Sequence, residues 1–257
     1  MENRVAISLK NVAKTFLVKD QRHNTIRDKV FSLFAKQNNR IIKAVKPLNL
    51  KVKKGEFFGI IGTNGSGKST LVQLMSGAYL PDEGGLVHIS GKHIRLTLGM
   101  GFNKELTARE NIYLNASIIG LTLRKIGEIF NEIISFAELE NFVDTKIKYF
   151  SSGMLSRLKF AIAIHTNADI LFLDEVFVVG DAGFKEKAKK AFDNILTKNK
   201  TIVMVSHSMA HLKFYCNRIL LLDKGKVVKI GKPNKIISFY NKNYVFPNRK
   251  LKYGRKK

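Results

Sequence analysis

Acidic side chains are scarce in this chain: 20 Asp and Glu stand against 45 Lys and Arg in 257 residues, a formal charge of +25 at pH 7. Such a surface attracts polyanions, whether nucleic acid, acidic lipid headgroups or a phosphorylated substrate, and charge alone does not choose among them. Lysines spread along the whole chain also fit a plain solvated surface. Cysteine is nearly absent. The single Cys216 excludes an intramolecular disulfide, no Cys/His spacing suggests a zinc site, and a reducing cytosolic compartment fits this usage. Apolar residues nowhere run uninterrupted for the roughly eighteen positions that a membrane span needs, so the chain is not expected to cross a bilayer by itself. The opening MENRVAISLKNV lacks the apolar core of a secretory leader, so none is expected. Internal repeats and low-complexity linkers are also missing. With 45% apolar residues, the composition is that of a globular protein able to build one large core or two small ones.

Periodicity then organises what is present. ISLKNVAKTFLV alternates apolar and polar residues as a half-buried strand does. From Ile26 to Lys36, IRDKVFSLFAK sets Ile26, Val30, Leu33 and Phe34 on one face of a short basic amphipathic helix. Such a helix either docks on the protein's own core or meets a membrane or partner. AVKPLNLKVKKGE reads as strand and turn, GLVHISGKHIRLTL as short strands, and Thr107 to about Lys146 as helices. ADILFLDE and KTIVMVSH are apolar runs of strand length ending in polar residues, each followed by helix-like sequence, which argues for a parallel sheet covered by helices. RILLLDKGKVVKIG reads as a closing hairpin, and RKLKYGRKK as a dense basic tail open to an anionic membrane face.

The most specific signal is FFGIIGTNGSGKSTLVQLMSG, Phe57 to Gly77, a strand, a glycine-rich turn and a helix carrying the spacing G-x-x-x-x-G-K-S. A buried strand there aims backbone N–H groups and the positive end of a helix at one point, where polyphosphate binds. Gly62, Thr63, Asn64, Gly65, Ser66, Gly67, Lys68, Ser69 and Thr70 are therefore the expected nucleotide cradle, with Lys68 reaching the β- and γ-phosphates and Ser69 ligating Mg²⁺. ILFLDE delivers two carboxylates to a strand end. Asp174 is expected to hold the hydration shell of Mg²⁺ and Glu175 to polarise an attacking water, a pairing that gains weight only because the phosphate loop stands upstream. His207 ends TIVMVSH, where an imidazole could hydrogen-bond a γ-phosphate oxygen. YFSSGMLSRLKFAIAI places Ser151, Ser152 and Gly153 at a second helix start, another anion-binding end. One triphosphate does not need both; two copies arranged head to tail would use them.

Phosphate loop, SSGM helix start, LFLDE and SH follow in the order found in the nucleotide-binding subunits of ATP-binding cassette (ABC) transporters, which the chain resembles over roughly residues 1 to 240. The resemblance implies an α/β fold of the P-loop NTPase class: a RecA-like parallel-sheet core, an antiparallel β subdomain and an inserted helical subdomain at about 102–160. The cassette would occupy residues 1–245 and the basic tail 246–257. The resemblance further implies ATP and Mg²⁺ as cofactors and a homodimer sandwiching two nucleotides. Ser151 and Gly153, with Ser152 between them, fall in the signature motif, Asp181 in the D-loop, Glu175 at the catalytic base and His207 at the switch histidine. Phe16 falls near the aromatic that stacks on adenine.

Departures from the general family pattern narrow the resemblance. The signature reads SSGM, the D-loop region reads VVGDAGFKEK, and LGMGFNKELTARENIYLNA contains no glutamine where most cassettes carry one. These forms, and the long insert before the phosphate loop, are similar to the subfamily that exports capsule, teichoic acid and O-antigen. That likeness implies a separate transmembrane permease, a lipid-linked glycan or polyol phosphate as cargo, and a peripheral position on the cytoplasmic face of the membrane. Some relatives of this type add a carbohydrate-binding domain; recognition of the glycan cap by this chain is not expected. A cassette for another cargo and a nucleic-acid-associated cassette are the alternatives; against the latter, the sequence shows neither the long coiled coils nor the paired cassettes expected of one.

Overall fold

The computed structural model describes residues 5–18, 40–96, 101–165, 168–174, 182–197, 200–206 and 208–245. The expected helix at 26–36 and the basic tail lie outside the described residues.

A six-stranded sheet forms the centre, in the order β5-β6-β7-β3-β8-β9, from β3 (Phe57–Ile61), β5 (His93–Leu96), β6 (Ile170–Asp174), β7 (Thr201–Val205), β8 (Arg218–Asp223) and β9 (Lys226–Gly231). All neighbours are parallel except β8 and β9, which form the expected hairpin across Lys224 and Gly225. Every residue of β3 and of β7 is buried, as near-continuous apolar strands covered on both faces must be.

Successive residues of a strand point to opposite faces, and the two faces build two cores. Phe58, Ile60, Phe172, Val203, Leu220 and Leu222 meet Leu71 and Met75 of α1 (Lys68–Met75) and a three-stranded antiparallel sheet. That sheet runs β2-β1-β4, from β1 (Val5–Val18), β2 (Arg40–Lys53) and β4 (Leu86–Ile89). Phe57, Ile61, Leu171, Leu173, Met204 and Leu221 face the other way, onto later helices. Those helices are α5 (Ala182–Thr197), α6 (Met209–Tyr215) and α7 (Pro233–Tyr240).

A third core lies mainly between helices: α2 (Ala108–Ile118), α3 (Leu123–Ala137) and α4 (Ser152–Ile164). In α3, Ile126, Ile129, Phe130, Ile133, Ile134 and Ala137 are buried at helical spacing. Thr107 and Glu110 form a capping box at the start of α2, and the Thr122 hydroxyl accepts from Lys125 N–H at the start of α3. Glu138 ends α3 at a φ of 58°.

At the base of the central sheet, Glu56 is 6% exposed and its carboxylate accepts from Arg218 Nη1 at 3.0 Å and from Lys53 N–H at 2.8 Å. The Arg218 guanidinium also covers the Phe58 ring at 5.3 Å. Removing one partner of a mostly buried pair strands the other charge. Arg218→Met should therefore destabilise the fold by about 2 kcal/mol, somewhat below the fully buried case because Arg218 keeps contact with water. An unchanged urea midpoint would contradict this.

Candidate functional site

The loop that follows β3 is held open by close backbone packing. A Cβ on Gly62 would stand 2.1 Å from the Leu222 carbonyl oxygen, and one on Gly67 would stand 2.2 Å from that of Ala44. Gly67 is the N-cap of α1 at a φ of 100°, which a residue with a side chain adopts only under strain. Lys68 is buried, and its Nζ donates to the carbonyl oxygens of Gly62 and Thr63, both at 2.9 Å. The ammonium is thus folded back over the mouth of the loop, within reach of anything seated there. The β8–β9 turn braces the loop: Gly225 N–H donates to Ser66 O at 2.9 Å, and Lys46 N–H donates to Gly225 O at 2.8 Å.

A cavity of about 940 Å³ opens above this loop. Asn64 to Thr70 form one wall, Ile41 to Ala44 and Lys46 of β2 another, and Val205, Lys224 and Gly225 complete it. Lys43, Lys46, Lys68 and Lys224 are its charged lining, with no carboxylate among the lining residues described. Backbone N–H groups at a helix N-terminus, an ammonium at the loop and a basic rim are a donor set suited to polyphosphate. Asn64, Gly65, Ser66, Gly67, Lys68, Ser69 and Thr70 all line the cavity, whereas Gly62 and Thr63 contribute carbonyls behind it.

Asp174 is the last residue of β6 and pairs across the ladder with Val205, a residue of the cavity wall. The carboxyl ends of β6 and β7 therefore reach the cavity rim, where ligands bind in open parallel sheets. Glu175, Asp181 and His207 lie outside the described residues. Ser151 caps α4, its Oγ accepting from Met154 N–H at 3.2 Å, and Ser151, Ser152 and Gly153 are absent from the cavity lining. Phe16 is not brought to the cavity either. Its ring stands edge-on to Tyr79 at 5.7 Å, with Lys14 Nζ 5.8 Å above it, and its ladder partner Ile42 lines the cavity instead. Ile41 to Ala44 and Lys46 of β2, with Val205, Lys224 and Gly225, are the lining residues that sequence reasoning missed. Only the Lys-Gly hairpin turn carried any signal, and it was a signal for a turn. Cys216 takes no part: burial pushes its thiol up to about 12, so it carries no thiolate near neutral pH.

The family profile for the ABC transporter matches residues 45–178, more than half of the chain and inclusive of the loop, the start of α4 and β6. The chain belongs to the ABC transporter family. Among relatives of this family, the O-antigen export system ATP-binding protein RfbB of Myxococcus xanthus is 38% identical over 246 residues, covering 93% of this chain and 56% of the relative. The teichoic acids export ATP-binding protein TagH of Bacillus cereus is 37% identical over 235 residues, covering 91% of this chain and 42% of the relative. The chain thus spans about half the length of these two relatives. Among solved ABC cassettes, the dimeric post-hydrolysis structure of MJ0796 bound to ADP and Pi is 26% identical, with a TM-score of 0.70 over 88% of this chain and 98% of that one. The P-loop cassette fold expected from the sequence, with its parallel core, antiparallel sheet and helical unit, is the fold observed.

Proposed function

We propose that this chain is the ATP-hydrolysing subunit of an ABC exporter that moves a lipid-linked polysaccharide or polyol phosphate across the cytoplasmic membrane. The observation that carries the ATPase half is the cavity itself, whose cradle, lysines and rim fit a triphosphate. Lys68 holds the β- and γ-phosphate oxygens, and Glu175 takes a proton from the attacking water as general base. His207 donates a hydrogen bond to the γ-phosphate. Ser69 and Asp174 would hold Mg²⁺, which supplies charge neutralisation on the phosphates. For the base, Phe16 would supply the aromatic ring, standing opposite Ile42 on the ladder beside the apolar lining of Ile41 and Ile42.

Ser151, Ser152, Gly153 and Asp181 act on the nucleotide of a second copy. A helix N-terminus that stands apart from its own chain's cavity supports this head-to-tail reading, as does the dimer reported for MJ0796. The cassette takes in residues 1–245, with the helical unit at about 102–160 resting on its own core, and the basic sequence 246–257 carries the charge that attracts anionic lipid. No helix among the described residues is long and apolar enough to cross a membrane, and a separate permease completes the exporter. The subunit then sits on the cytoplasmic face. The cargo class is supported by the export names of the relatives and by the SSGM and VVGDAGF forms.

The export half has its own test. Cells lacking this chain should retain finished glycan on its lipid carrier inside the cytoplasmic leaflet, and chain restored with Lys68 intact should return it to the surface. Unchanged surface glycan in the deleted cells would overturn the cargo assignment and leave the ATPase assignment standing.

A further inference from the structure

Glu138 joins the two helices whose starting ends the composite site uses. Its carboxylate accepts from Arg157 Nη1 at 2.7 Å and from Lys187 Nζ at 3.2 Å. Arg157 lies five residues beyond Ser152, the first residue of α4, and Lys187 lies five residues beyond Ala182, the first residue of α5. The segment Ser151–Gly153 opens one of these helices, and Asp181 immediately precedes the other. One carboxylate is therefore bonded at the same depth to both elements that a chain would offer to a second copy's nucleotide.

The surroundings separate holding from aiming. Phe160 of α4 stands 6.1 Å from Phe184 of α5, and Phe136 of α3 stands 5.9 Å and 5.6 Å from those two rings. Phe160 and Phe184 are each 2% exposed, so apolar packing already holds the helices together. The Glu138 side chain is 50% exposed and that of Lys187 37%, against 18% for Arg157, so water screens the carboxylate and the pairs add little stability beside the aromatic packing. What they add is direction. Lys187 Nζ also donates to Ser135 O at 3.2 Å and lies over the Phe136 ring at 5.1 Å, and Arg157 lies over Phe184 at 5.8 Å. Each cation is thereby tethered to more than one neighbour, and its helix has a preferred rotation about the aromatic contact.

We propose that Glu138 is a positioning residue that sets α4 against α5, so that Ser151–Gly153 and Asp181 reach the second copy's nucleotide together. This rests on the composite-site reading above. It is distinct from that reading because Glu138 touches neither nucleotide nor reacting atoms.

The test uses the full chain in a Glu175→Gln background, which accumulates the nucleotide-bound pair. Sedimentation would give the ATP concentration for half-maximal dimer, alongside ADP affinity of the single chain and melting temperature. Glu138→Gln should raise the half-maximal ATP concentration about fivefold, with ADP affinity and melting temperature unchanged, the size expected of residues coupled through contact. Lys187→Gln should act in the same direction, and the double variant should be little worse than either single one, because the two residues form one unit. A Glu138→Gln protein that dimerises like its parent would overturn the proposal. So would an effect that appears equally in ADP affinity and melting temperature, which marks a merely structural role. A parent that stays monomeric in ATP would instead sink the composite-site reading, and the role of Glu138 with it.

Discussion

Gly67→Ala should lower affinity for ATP and ADP by more than about 100-fold, because a cradle displaced by an ångström loses its aligned donors. The new Cβ would stand 2.2 Å from the Ala44 carbonyl oxygen, a backbone atom of β2 that cannot swing away as a side-chain tip could. Either the loop or β2 must move, and both are walls of the cavity. The φ of 100° adds strain of about 1–3 kcal/mol, so melting temperature should fall as well. Gly65→Ala is the control. Its φ of 74° carries comparable strain, but nothing lies within 4 Å of the added Cβ, so the packing of β2 against the loop survives. Calorimetric titration with ADP separates the two, and near-parental affinity in Gly67→Ala would show that the loop does not bind nucleotide in the observed geometry.

Glu175→Gln should cut ATP turnover by about 10²–10⁴-fold while leaving ATP affinity near that of the parent, since glutamine keeps the size and shape of glutamate but its amide cannot take the proton. The reason for assigning the base to this residue is positional. β6 ends at Asp174, whose ladder partner Val205 lines the cavity, and Glu175 is the next residue in the sequence. Phosphate release measured under saturating ATP would check it. Turnover within a fewfold of the parent would reassign the base.

Local pattern carried most of the fold and only part of the site. The phosphate loop was legible because strand, turn and helix are contiguous, and the apolar runs of β6 and β7 were legible because a strand buried on both faces has no polar period. Ile41 to Ala44 were not, because they become a cavity wall only through the pairing of β2 with β1 and the contact of Ala44 with Gly67 across long stretches of chain. Phe16 shows the same limit. Its ladder pairing with Ile42, a lining residue, and its edge-on contact with Tyr79 follow from strand pairing that no local pattern shows. The start of α4 was legible as an anion-binding end from its small residues. Its separation from the cavity was not, because that follows from packing α4 into the helical core. The Glu138 bridge was equally hidden, since its partners lie 19 and 49 positions away.

On the composite-site reading, one chain holds only half of a working site. Sedimentation velocity of Glu175→Gln with Mg²⁺ and either ATP or ADP tests it most directly. Dimer with ATP and monomer with ADP is the expected result; monomer in both would overturn the composite site.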